Sequence, residues 1–169
     1  MVEVSAALLM QKELLPGEKL LSSFGANALL PLYPDAGGTG ALPYVLGASA
    51  PRKVLGMLHL TNFRVKFKPA SPHDADFSIM LPAIASIRNV SFLFVRKFRL
   101  VMQDGTHIDF LKWGILPVIS AVSAVAAQTR QIDWNAIGRD IAAAPPEAMG
   151  AWSVLPRGLQ PTTTVASAE

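Results

Sequence analysis

The stretch "GMLHLTNFRVKFKP", residues 56–69, decides the fold. Gly56 to Leu60 is strand material, Thr61-Asn62 interrupts it, and Phe63, Val65 and Phe67 then alternate with Arg64, Lys66 and Lys68. Alternation with a period of two sends successive side chains to opposite faces of a strand. Asn tolerates left-handed backbone angles and Thr bonds locally, so Thr-Asn between two such runs reads as a tight antiparallel turn. The pattern predicts three apolar side chains facing a core and three cations facing away from it. Two readings of those cations stand. They form a surface for anionic head groups, each basic group contributing about 1 kcal/mol near an acidic leaflet, or they are a solvated strand face that also deters edge aggregation.

Working outward, strand signals continue on both sides. Upstream, "LLPGEKLLSSFGANALL" opens on a Pro16-Gly17 turn and runs as a strand from about residue 19 to 30. Residues 31–51 hold four prolines and four glycines, which predicts a long loop reaching to residue 55. Downstream, residues 77–81 make a short strand stopped by Pro82, and residues 84–91 another. "VRKFRLVMQ", residues 95–103, places Phe98, Leu100 and Met102 on one face, and Asp104-Gly105 signals a hairpin into residues 107–110.

The texture then becomes helical. Pro117 suits a first turn, and Val118, Val122 and Val125, with Ile119 and Ala126 beside them, form one apolar stripe over residues 116–128. A second short helix is expected over residues 133–143, capped by Asp133 and ended by Pro145-Pro146. About seven antiparallel strands followed by an amphipathic helix predict a barrel or sandwich stoppered at one end. The expected division is an N-terminal extension (1–12), the main domain (13–130), a short helical extension (131–150) and a disordered tail (151–169). Trp113 is expected to pack where helix meets barrel, and Trp134 and Trp152 to tether the extension and tail.

Composition narrows the function. The 169 residues are 51% hydrophobic and 16% charged, with net charge +3 and a pI near 9.5. This mild basicity permits attraction to anionic partners without demanding it. With no cysteine, disulfides, thiolate metal sites and thiol catalysis are excluded. His59, His73 and His107 are too scattered to suggest a metal centre. His107 and Asp109 share a strand face, but no nucleophile accompanies them. Glu3 and the short apolar run after it do not read as a secretory signal. The uncharged run 113–129 is short of the roughly 20 apolar residues a bilayer span needs, and it reads as a buried helix.

These residues resemble a known family. Gly56, Leu58, Leu60, Thr61, Asn62, Phe63, Arg64, Val65 and Phe67 match the hairpin pattern of GRAM domains, a branch of the pleckstrin-homology-like fold. Residues 14–21 resemble that family's opening, residues 77–87 its fourth and fifth strands, and residues 104–110 its last hairpin. The versions in myotubularin-like phosphatases and WW-domain-binding proteins look most similar. The resemblance covers residues 13–130 and implies a seven-stranded antiparallel barrel or sandwich capped by a C-terminal helix. The phosphatase chemistry of the first group does not carry over, because no cysteine is present to form a phosphocysteine. The Pro-Pro-x-Tyr motifs that WW domains bind are missing from the tail.

The resemblance implies a cytoplasmic, non-catalytic adaptor without cofactor or metal, peripheral to a membrane and binding anionic lipids such as phosphoinositides. The alternative is a protein–protein interaction module on the same fold; no nucleic-acid motif is present. The candidate lipid-binding residues are Arg52, Lys53, Lys66, Lys68, Arg96, Lys97 and Arg99. In "SFLFVRKFR", residues 91–99, the cluster Phe92, Leu93, Phe94 and Val95 directly precedes the cations. At a loop tip, Phe92, Leu93 and Phe94 have the make-up of a membrane wedge; in a strand, Phe92 and Phe94 point inward instead.

Overall fold

The computed structural model describes residues 13–30, 52–74, 76–150 and 152–156. Seven strands follow in order: β1 (Leu20–Leu30), β2 (Arg52–Thr61), β3 (Arg64–Pro69), β4 (Phe77–Met80), β5 (Ile84–Asn89), β6 (Lys97–Met102) and β7 (His107–Leu111). Helices α1 (Ile115–Gln128), α2 (Trp134–Ala143) and α3 (Pro146–Met149) come next, and β8 (Trp152–Val154) ends the described chain. The strands form one sheet ordered β5-β6-β7-β1-β2-β3-β4-β8, antiparallel throughout except for the parallel pair β4–β8.

The link between β4 and β5 forces this sheet to curl. It is a three-residue 3-10 turn, Leu81–Ala83, joining strands six places apart in the sheet. In a flat sheet they would lie about 29 Å apart, whereas three residues reach about 11 Å. The sheet therefore folds over a core without closing its hydrogen-bond ladder.

The predicted alternation fills that core. Leu58 and Leu60 of β2, Val65 and Phe67 of β3, Phe77 and Ile79 of β4, and Phe98 and Leu100 of β6 are all buried in one cluster. Phe67 stacks on Phe77 and Phe98 on Phe110, both with centroids 5.1 Å apart. Phe110 lies 6.1 Å from Phe67, so the rings bridge the two halves of the sheet. The α1 stripe seals the cluster through Ile115, Val118 and Val122, with Ile119 and Val125 at its margin. At Gly56 a Cβ would stand 2.4 Å from the Lys68 carbonyl oxygen and 2.6 Å from the Phe67 ring, so only glycine fits between β2 and β3.

A third layer covers the outer face of β3 and β4; its helix α2 and the Trp134 tether were expected, whereas the buried cluster beneath them was not. Leu15, Phe63, Met80, Ile137 and Met149 make a second buried cluster joining the N-terminal turn to α2 and α3. Trp134 sits edge-on to Phe63 at 6.2 Å, and Asp133 caps α2 by accepting from the Asn135 and Ala136 amides. Residues 152–154, expected within a disordered tail, pair with β4 instead, because Gly150 at φ +85° turns the chain along that edge. Residues 52–55, expected as loop, extend β2 by pairing with β1. The expected extension 1–12, loop residues 31–51 and tail residues 157–169 lie outside the described residues.

Candidate functional site

The β5–β6 hairpin ends in an apolar tip. Phe92 and Val95 exchange backbone hydrogen bonds of 3.1 and 2.9 Å, leaving Leu93 and Phe94 as a two-residue loop. Leu93 takes φ +50°, a left-handed conformation costing a leucine about 1–2 kcal/mol. Below the tip, Asn89 Oδ1 accepts from the Ser91 amide at 3.0 Å, and Ser91 Oγ accepts from the Lys97 amide at 3.0 Å. This base holds Phe92, Leu93, Phe94 and Val95 clear of the core, at 74, 74, 89 and 52% exposure. Of the two readings, the loop tip is therefore the one observed.

Two further apolar side chains belong to this end. The Lys112 amide donates to the Arg96 carbonyl at 3.1 Å, which sets Trp113 beside the base of the tip. Trp113 is 80% exposed and Leu116, at the start of α1, 68%. Trp113 thus does not pack between helix and barrel as expected. Leu116 falls off the Ile115, Val118, Val122 stripe and Trp113 precedes the helix, and that was the available signal.

The cations around the tip differ in their surroundings. Arg96 is exposed. Lys97 and Arg99 turn toward Asp109 on β7: Arg99 Nε and Nη2 donate to its two oxygens at 2.7 and 3.0 Å, and Lys97 Nζ stands 3.2 Å away. Burial alone raises the Asp109 carboxyl pKa, but bonds and charge from Arg99 and then Lys97 outweigh it and hold it below its ordinary value. Arg88, exposed on β5, faces Arg99 across the ladder and was not a sequence candidate. Burial, and then the charge of Arg99, push His107 below its ordinary value.

Arg52 and Lys53 are not brought to this site. They pair with Leu30 and Leu29, and Leu29 in turn faces Asp109, so they lie toward the Asp104-Gly105 end of β7. Arg52 forms an ion pair with Asp74.

The cations of β3 require a correction. The expected outward-facing stripe is covered: Arg64 and Lys66 are both 0% exposed. Arg64 Nε and Nη2 donate to the two Glu18 oxygens at 2.8 and 3.0 Å. Its Nη2 also donates to the Glu13 carbonyl at 2.8 Å, and its Nη1 to the Ala148 carbonyl at 2.6 Å and Ser78 Oγ at 3.1 Å. Thr61 Oγ1 donates to Glu18 at 2.7 Å while accepting from the Arg64 amide at 2.9 Å. Asn62, whose φ is not positive, instead accepts from the Lys19 amide at 2.6 Å through its side chain. The Thr-Asn turn thus clamps the Pro16-Gly17 turn onto the hairpin.

Lys66 Nζ meets Glu13 Oε2 at 2.6 Å and Lys68 Nζ meets Glu13 Oε1 at 2.7 Å. Burial lowers the Lys66 pKa; the bond from Glu13 opposes this and the charge of Arg64 adds to it. For Glu13, burial raises the pKa, but the bonds from Lys66 and Lys68 leave it below its ordinary value. Lys66 and Lys68 are therefore occupied within the chain. The signal for this was Glu13 and Glu18 flanking Pro16-Gly17, two carboxylates spaced to face a cationic strand.

His59 Nδ1 lies 2.8 Å from Ser23 Oγ, and burial, then Lys68 and Lys66, lower its pKa. Among the described residues, no group of three His, Cys, Asp or Glu side chains is placed to hold a metal ion. Nor is any described helix long and apolar enough to cross a membrane.

No family model matches the chain, and no curated protein matches it either. Among solved structures it is similar to the C-terminal domain of an unknown protein from Leishmania infantum, at 19% identity and a TM-score of 0.48. That match covers 73% of this chain and 95% of the other.

Proposed function

We propose that the chain is a non-catalytic, GRAM-like adaptor that docks peripherally on the cytoplasmic face of an anionic membrane, with the β5–β6 tip entering the lipid interface. The observation that carries this reading is the run Phe92–Leu93–Phe94–Val95, held out in solvent by a hydrogen-bonded hairpin base. Moving a Phe or Leu side chain out of water contributes about 1.5–3 kcal/mol. Arg96 stands exposed behind the tip, where it meets head-group phosphates as the rings enter; Lys97 and Arg99 share Asp109 and add a net positive charge there, and Trp113 suits the same interfacial depth.

Co-sedimentation of the full chain with vesicles tests this. Binding to vesicles containing phosphatidylserine or phosphoinositide is expected, falling with added salt and with Arg96→Glu, and lost in Phe92→Ser/Phe94→Ser. Sedimentation unaffected by the tip substitutions contradicts the reading. A second reading is favoured by β5, which ends the sheet among the described residues and there offers a partner strand backbone pairing. Absence of vesicle binding under every condition supports it instead.

A further inference from the structure

Two cations placed opposite each other join the tip to the Trp113 corner. Arg96 directly follows Val95, and Lys112 directly precedes Trp113. The Lys112 amide donates to the Arg96 carbonyl at 3.1 Å, one step beyond the Lys97–Leu111 pair of the β6–β7 ladder. Strand alternation carried that one step puts Arg96 and Lys112 on the side of Phe98 and Phe110, and Lys97 and Arg99 on the other. The Lys112 ammonium accordingly lies 5.9 Å from the centre of the Phe24 ring, which packs against the margin of the main core.

Like charges directly opposite on a ladder repel, and among the described residues no carboxylate pairs with either of these two. The ion pairs there engage Arg52, Arg64, Lys66, Lys68, Lys97 and Arg99 instead. Arg96 is exposed. Lys112 Nζ donates to the Trp113 carbonyl at 3.1 Å, a neutral acceptor that positions the ammonium without cancelling its charge and leaves it further N–H groups to donate. Along this edge the order is apolar tip, Arg96, Lys112, Trp113, with Leu116 beyond at 68% exposure.

We propose that Arg96 and Lys112 are the head-group contact of the membrane-docking surface, holding a phospholipid phosphate between two apolar prongs. One prong is the β5–β6 tip and the other is Trp113 with Leu116. A phosphate oxygen accepts from guanidinium and ammonium alike and relieves the repulsion between them. Lys97 and Arg99, on the opposite side of β6 and turned toward Asp109, contribute to the surface potential rather than to this seat. The inference rests on the membrane reading and adds to it Lys112, Leu116 and the position of the lipid phosphate.

The test is co-sedimentation of the full chain with phosphatidylcholine vesicles containing phosphatidylserine. Arg96→Gln and Lys112→Gln are each expected to lower partitioning about fivefold, the scale of one basic group at an anionic leaflet. Lys112→Arg retains wild-type binding. Lys53→Gln removes the same charge at the far end of β2 and is expected to change partitioning less than about twofold, since screening isolates it from the docked face. Leu116→Ser is expected to lower partitioning about tenfold. If Lys112→Gln does not fold, Arg96→Gln decides alone, because its exposed side chain supports no described contact. Losses in Arg96→Gln and Lys112→Gln no larger than in Lys53→Gln overturn the seat. If Phe92→Ser/Phe94→Ser still abolishes binding in that case, the membrane reading stands without it. A wild-type chain that sediments with no vesicle overturns the membrane reading and the seat together.

Discussion

Arg64 shows how far one residue's surroundings can depart from its pattern in the chain. Alternation places it on the outer face of β3, yet five partners from the N-terminal turn, β4 and α3 surround its guanidinium. A buried pair broken on one side leaves an uncompensated charge, typically costing about 3–5 kcal/mol. Arg64→Met is expected to lose about that much in urea unfolding, and Arg64→Met/Glu18→Leu less than the two single changes summed, because the partners are coupled. Acid should act at neighbouring residues. His59 and His107 have folded pKa values below the ordinary 6.5, so the unfolded chain binds more protons as pH falls through that value. Glu13 and Asp109 are held below 4.5 and 3.8, so their contribution is present above those values and is lost as pH falls below them. All four therefore act in one direction. Tm should decline from just below pH 6.5, then more steeply below about pH 4.5, and His59→Gln should reduce the first part of the decline.

Strands such as β1, β6 and β7 were legible at the level of the element because each carries its own two-residue alternation, and Asp133 announced α2 through a local cap. The buried cluster beneath α2 was not, since its evidence is dispersed. Glu13 and Glu18 gain their meaning opposite the cations of β3, and Ile137 and Met149 within the cluster that includes Phe63. Three residues of β8 are too few to show a pattern at all. What they depend on is Gly150, which reaches φ +85° with the Asp76 carbonyl 3.0 Å from where a Cβ would stand. Gly150→Val is expected to cost about 1–3 kcal/mol, read as a lower urea midpoint with an unchanged m-value. A wild-type midpoint would mean that β8 contributes nothing to the sheet edge.

For the whole molecule, the cationic strand and the apolar tip exchange the roles their sequences suggested. The residues with the plainest charge pattern, Arg64 and Lys66, are sealed between sheet and helices. The residues that could have filled a strand's inner face, Phe92 and Phe94, stand in water. Of the candidate site, the tip and its cations were readable because they are contiguous in the chain. Arg88 joins them only through its ladder pairing with Arg99, and Trp113 only through the backbone bond from Lys112 to Arg96. The most direct test of the tip as a membrane contact is the emission of Trp113 on vesicles whose acyl chains carry bromine. A shift to shorter wavelength and quenching by bromolipid are expected in the wild type, both largely abolished in Trp113→Phe. Emission that neither shifts nor is quenched while the protein sediments with the vesicles contradicts a membrane contact at the tip.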